Sequence, residues 1–299
     1  MDLALLEDFV ELAKEKSFSR AAEARNLTQP AFSRRIKTLE DVIGTQLVQR
    51  TSRSVSLTPA GTAFQPRADA IVRLFAEARS EALEIAGLAE TGLNLAATHA
   101  LSYTFVPKWL MQAIGPSGIG TLNMISDTQG PCVRAMLRGE VNFLVCHRDR
   151  SAAFGLSERQ FRHHVIGHDR LVPLCMPDTE DRPRWHLGQE KGPVPFIAYG
   201  HPSGIRNILE HHWSLHGRPA LSVSMSSVLA AANLELAKEG HGVAFLPLSL
   251  AEAAVAQGEL VRAANPGQDI PVEIVIYRPR SKLSKHSESF WEKVQDFAP

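Results

Sequence analysis

The chain is expected to be an α/β protein, with a helical N-terminal part, one hairpin, a long helix and then two α/β lobes. Three observations predict this. Apolar residues recur at helical spacing from Leu3 to Ile43, and a second helical stripe follows Pro59. From about residue 93, short apolar strands alternate with helices, a pattern that buries parallel sheets under helices. At 299 residues the chain can build two or three cores. The expected divisions are 1–58, 59–90 and 91–299.

Leu3, Leu6, Phe9, Val10 and Ala13 predict a first helix over residues 2–15. Residues 18–37, FSRAAEARNLTQPAFSRRIK, read as two short helices joined by a tight turn. Ala21 and Ala22 permit close packing, and Leu27 is placed to be buried by the turn. Thr28 is expected to cap the next helix through its hydroxyl, with Gln29 and Pro30 in the first turn. Ile36, Leu39 and Ile43 continue the buried stripe, and Gly44 ends it. Ser33, Arg34 and Lys37 follow at spacings of three and four, so they share or flank one face with Gln29. An amide, a hydroxyl and two cations suit base edges and phosphates. The segment QLVQRTSRSVSLT then predicts a hairpin whose tip, Arg50 and Arg53, would reach phosphates or a minor groove.

Thr58 and Pro59 open a helix expected to run to about Ile85. Pro66 should kink it or mark its true start. Its stripe of Ala63, Ala70, Ile71, Leu74, Phe75, Ala78 and Leu83 has little chain of its own to bury against, so a second copy is the expected cover. Strands are expected at 93–97, 121–126, 141–146, 171–176, 195–199, 221–225, 242–247 and 272–277. Helices fall between them near 106–114, 132–139, 203–215 and 228–239.

Ligands of open α/β lobes bind beyond the carboxyl ends of the strands, where helix N-termini favour anions. The strand ends here carry Thr98, His99 and Ser102; Ser126 and Thr128; His147; Tyr199 and Ser203; and Ser226. They predict one inter-lobe cleft for a small anionic or peroxide-like effector. Ser102, Thr128, Ser203 and Ser226 have the plainer alternative of capping helices, and His99 that of a satisfied buried histidine. Cys146 and Met225 are the redox candidates, against the commoner role of apolar filling. His163-His164 and His211-His212 are adjacent and point apart, so no metal site is expected; no cofactor is expected either.

Overall charge balances at 32 basic and 32 acidic residues, but the head does not share that balance. Between Lys16 and Arg53 eight cations meet only Glu23, Glu40 and Asp41, an excess that supplies salt-sensitive DNA affinity. No Gly-x-Ser-x-Gly turn, phosphate loop or zinc spacing marks an enzyme. A solute-binding protein would account for the lobes but not for the head. The start MDLALLEDFVELAK lacks a basic n-region, no apolar run reaches membrane-spanning length, and three cysteines without metal spacing fit reduced thiols. A cytoplasmic protein that meets no membrane is the expectation.

With these residues placed, the chain resembles the LysR-type transcriptional regulators. The match is carried by Phe18, Ala21-Ala22, Leu27, Gln29-Pro30-Ala31, Ser33, Ile36, Leu39-Glu40, Gly44, Leu47, Arg50, Leu57-Thr58 and Gly61. Weaker echoes follow in VPKWL, LRGEVNFLV and EGHGVAFLP. The resemblance implies a winged helix-turn-helix, a dimerising linker helix and an effector domain built like a periplasmic binding protein. It also implies a homodimer assembling to a homotetramer on a partly palindromic double-stranded DNA operator. DNA contacts would come from Gln29, Pro30, Ser33, Arg34 and Lys37, with Arg50 and Arg53 on the wing. The stretch AATHALSYTFVP is similar to the hypochlorite-responsive members of that family, so a small effector or oxidant is expected in the cleft, with a metabolite such as a small carboxylate, rather than an oxidant, as the alternative.

Overall fold

A computed structural model describes residues 2–50, 55–85, 92–115, 121–151, 155–189 and 192–297. The chain divides into two compact units, Met1–Ala89 with 137–139, and 90–136 with 140–299.

The first unit holds α1 (Leu3–Glu15), α2 (Phe18–Ala24), α3 (Gln29–Ile43), the hairpin β1 (Val48–Arg50) and β2 (Val55–Leu57), and α4 (Pro59–Ile85). Asp2 and Ser17 cap α1 and α2 through their side chains. Thr28 does not cap α3 in this way, contrary to expectation; Pro30 in the first turn has no N–H to satisfy. Gly44 ends α3 in the left-handed region at φ 82°, where a side chain would be strained. Leu6, Phe9, Leu12, Phe18, Ala21, Phe32, Ile36, Leu39 and Leu47 form one core. The long helix joins that core through Ala68 and Val72, with Phe64 5.4 Å from Phe9 between ring centres. Its first half therefore does find cover within the chain, which the stripe alone did not suggest. Ile71, Leu74 and Phe75 stay exposed, at 43%, 65% and 55%. The helix passes through Pro66 without interruption and starts at Pro59.

The second unit contains β3 (Gly92–Thr98), α5 (His99–Thr104), α6 (Val106–Ala113), β4 (Thr121–Asp127), α7 (Gln129–Leu137) and β5 (Phe143–Arg148). It continues with β6 (Phe161–Cys175), β7 (Val194–Tyr199), α8 (Gly204–His216), β8 (Leu221–Ser227), α9 (Ala230–Lys238) and β9 (Ala244–Pro247). Last come α10 (Leu248–Ala256), β10 (Val261–Arg262), β11 (Ile270–Pro279) and α11 (Lys285–Asp296).

The seven-stranded sheet runs β10-β6-β11-β5-β3-β4, with β9 also on β6, while β7 and β8 pair separately. The expected parallel pairing holds within each lobe, and an antiparallel ribbon is added to it. β3 lies parallel to β4 and β5, and β7 to β8, but β11 is antiparallel to both β5 and β6. The reason is that β6 and β11 run through both lobes as one long antiparallel ribbon. Leu171, Cys175, Ile270 and Val272 enter the core of the second lobe, whereas Ile166, Ile274 and Ile276 enter that of the first. The ribbon passes from one core to the other between Val272 and Ile274, and its register shifts just beyond, between Ile274 and Val275. Residues 161–170 of β6 went unread because they are polar, FRHHVIGHDR, and lack an apolar run.

Candidate nucleic-acid interface and effector cleft

Helix α3 is set by a buried carboxylate. Asp8 of α1 is fully buried and accepts from Arg25 Nε at 2.8 Å and from Arg35 Nε. Glu7 adds a second acceptor for Arg25. A carboxylate with no exposure needs such partners, and each one ties α2 or α3 to α1. Arg35 thus belongs to the fold, although the sequence counted it in the cationic excess. Arg20 is likewise paired with Glu15. Asp8 was legible as an acid among the inward-facing Leu5, Leu6, Phe9 and Leu12, and that signal went unread.

What remains on the outer face is the predicted set. Gln29, Pro30, Arg34 and Lys37 are exposed and Ser33 is half-buried. Arg34 and Lys37 carry no ion pair among the described residues, so their charge is available to a partner. Ser33, Arg34, Lys37 and Asp41 line one open groove together with Thr45 and Gln46. The hairpin is fastened beside it: Glu40 of α3 accepts from Leu47 N at 2.8 Å and Val48 N at 3.0 Å. Thr58 accepts from Gly61 N and donates to Gln46 O. Gly61 has no room for a side chain, since a Cβ there would fall 2.0 Å from Leu47 O. Arg50 ends β1, where only its backbone is described, and Arg53 lies outside the described residues.

In the second unit, a cleft of about 440 Å³, counting its open mouth, lies between the lobes. Lobe one contributes Thr98, His99, Asp127, Thr128, Gln129 and His147, and lobe two Ser203, Gly204, Ile205 and the turn 228–230. Helices α7, α8 and α9 all begin there. His99 Nδ1 is 2.9 Å from Ser126 Oγ and its Nε2 is 4.0 Å from Asp127 Oδ1. Ser102 does not line the cleft but holds Ser126 at 2.7 Å. Asp127 accepts from Thr128 N at 2.6 Å, fixing that loop. Beneath, His147 is buried with Nε2 3.2 Å from Asp169 Oδ2. Asp169 also accepts from Ser249 Oγ at 2.6 Å, Ser249 N at 3.2 Å and Arg170 N at 2.7 Å. Burial opposes its charge, but the bonds from His147, Ser249 and Arg170 outweigh it and hold its carboxyl below the usual range. Neither Asp169 nor Ser249 was singled out by sequence. They lie 80 residues apart.

The remaining predicted positions stand elsewhere. The Tyr199 hydroxyl is buried and donates to Phe245 O at 3.0 Å, while its surface lines a separate depression shared with Ser226, Arg206, Trp213 and Arg218. The single-cleft expectation is corrected for these two residues. Cys146 is buried between β11 and β3 in the sheet. Burial, with Cys132 nearby, pushes its thiol well above the ordinary range, as expected of a cysteine that fills an apolar space. Met225 is 38% exposed on β8.

A head built to present a cationic helix and a two-lobed receptor with a polar cleft define a ligand-responsive DNA-binding protein. Residues 3–62 match the bacterial regulatory helix-turn-helix proteins of the lysR family, and residues 86–299 match the LysR substrate binding domain. The chain belongs to the LysR family: it is a transcriptional regulator with an effector-binding domain, not an enzyme. It is 26% identical to the HTH-type transcriptional regulator YjiE of Escherichia coli K12, over 97% of this chain and 93% of that one. Among solved structures it resembles DarR of Vibrio fischeri in complex with DNA, with 27% identity, a TM-score of 0.57, and 100% and 99% of the two chains covered. It also resembles full-length HypT of Salmonella typhimurium, described as a hypochlorite-specific LysR-type regulator, with 25% identity, a TM-score of 0.59, and 99% and 97% coverage. Among the described residues no helix is long and apolar enough to cross a membrane.

Proposed function

We propose that the chain works in the cytoplasm as a homodimer assembling to a homotetramer on partly palindromic double-stranded DNA. Helix α3 enters the major groove, with Gln29, Pro30, Ser33, Arg34 and Lys37 as its contacts and Arg50 and Arg53 reaching the backbone or minor groove from the wing. Residues 1–58 then form the DNA-binding domain, 59–90 the dimerisation helix and 91–299 the effector domain. The observation that carries this reading is the contrast along α3, where Arg34 and Lys37 remain exposed without ion pairs among the described residues while neighbouring Arg35 is consumed by Asp8. Exposed Ile71, Leu74 and Phe75 support α4 as the dimer seam. The cleft residues Thr98, His99, Thr128, His147 and Ser203, with Ser102 behind them, hold a small effector whose binding favours one arrangement of the assembly. The test is DNA binding by purified wild-type and R34A/K37A protein at several salt concentrations. The double variant should lose affinity and flatten the salt slope by about two; an unchanged slope removes α3 from the interface.

An oxidant is the second reading of the effector. The exposure of Met225 and the likeness to a hypochlorite-specific regulator favour it. Hypochlorite applied to the purified protein should change its DNA binding, and Met225→Gln should abolish that response. A response to a small carboxylate with none to hypochlorite would establish the metabolite reading instead.

A further inference from the structure

The carboxyl-terminal half of α8 carries three histidines, His211, His212 and His216, which none of the roles above uses. His211 and His212 are adjacent and point apart. His216 lies four residues beyond His212 and returns to the same face of the helix, one turn on. The two rings stand side by side, with centroids 4.4 Å apart and planes at 40°. An ion about 2.1 Å from one nitrogen of each ring, with its bonds about 90–110° apart, sets ring centres about 4.5–5.2 Å apart. The helix therefore holds this pair within a small rotation of chelating geometry. His212 is half-buried and His216 exposed, so the space between them opens to solvent.

The surroundings suit a cation. The pair sits at the carboxyl end of a 13-residue helix, the negative pole of its dipole. Asp149, in the loop after β5, favours positive charge at His212. Arg218, two residues past the helix, is engaged elsewhere: its guanidinium lies 5.0 Å from the centre of the Trp213 ring and 3.9 Å from Glu210 Oε2. His211 is committed too. Ser151 Oγ donates to Asp149 Oδ1 at 2.7 Å, so His211 Nε2, 3.1 Å from the same hydroxyl, is the donor there and has no lone pair for a metal. Neutral imidazoles suit nickel, copper and zinc, whereas magnesium and calcium require oxygen ligands.

We propose that His212 and His216 chelate one divalent transition-metal ion of the nickel, copper and zinc group on α8. Among the described residues no third histidine, cysteine or carboxylate completes a larger ligand group. Water, or a group brought by another molecule, fills the remaining positions, and Asp149 acts as a neighbouring charge. The ion bridges the last turn of α8 and stabilises the folded chain by mass action. The site shares no residue with the effector cleft.

The test uses the full chain without an affinity tag, stripped of metal by a chelator and titrated calorimetrically with nickel, copper, zinc and magnesium. Copper should bind most tightly and magnesium not at all, and saturating nickel should raise the unfolding midpoint. Electron paramagnetic resonance of the copper complex should show two imidazole nitrogens in the wild type and fewer in either single variant. His212→Gln and His216→Gln should each weaken nickel binding by about tenfold or more, while His211→Gln leaves it unchanged. Asp149→Asn should weaken it without changing the nitrogen count on copper. His216 is exposed, so its variant reads the site without disturbing the core. Absence of nickel and copper binding, binding that survives both glutamine variants, or binding lost only with His211→Gln would overturn the site and leave the pair as stacked rings.

Discussion

Arg34 and Arg35 are adjacent in sequence and opposite in use. One faces out, without an ion pair among the described residues, and the other closes on Asp8. Arg34→Ala should therefore weaken binding to a cognate site by about 1–3 kcal/mol with little change in thermal stability. Asp8→Ala should do the reverse, costing about 2–3 kcal/mol of unfolding free energy in urea titrations, below the fully buried range because both guanidiniums reach solvent. At the same scale, burial pushes the Cys132 thiol up to about 12 and Cys146 well above its usual range. Native protein at pH 8 should leave both unlabelled by iodoacetamide, and rapid labelling would refute their inertness. These distinctions could not be read from residue type. Composition counts a cation, but only packing says whether a carboxylate has already taken it.

Elements in this chain are held by single polar anchors. Glu40 fastens the hairpin to α3, and Gly61 leaves the space in which Leu47 O sits. Gly61→Ala should cost about 1–3 kcal/mol and displace the wing, seen as reduced DNA affinity even with Arg34 intact. In the effector unit α11 is pinned to β11 through Arg278, which donates to both oxygens of Glu288 at 2.7 and 2.8 Å. The hydrogen bonds from Arg278, with that from Leu283 N, lower the Glu288 pKa from 4.5 to about 2 against the effect of burial. A depressed carboxyl stabilises the fold above its unfolded pKa and loses that contribution as pH falls through the folded value. Stability of the effector unit should therefore decline between about pH 4.5 and 2, and Glu288→Gln should flatten that part of the profile. Helix α11 itself went unread because its inward residues, Phe290, Trp291 and Val294, are few among charges.

For the whole molecule, the proposed function depends on copies meeting. Leu74→Glu with Phe75→Glu places charge on the exposed stripe of α4 without entering the core of the head. Sedimentation should then show dissociation, and affinity for a two-half-site operator should fall to that of a single half-site; an unchanged oligomer would place the dimer seam elsewhere.

Local patterning was enough to determine the helix pair and its outward face, the capped start of α4, the hairpin and most strands, because periodicity and caps are set within a few residues of one another. Tertiary structure alone decided that β6 and β11 cross both lobes antiparallel, that Tyr199 and Ser226 leave the cleft, and that Asp8, Asp169 and Ser249 matter. Each of those depends on groups distant in sequence whose charges and hydrogen bonds acquire meaning only after burial removes the water that would otherwise satisfy them.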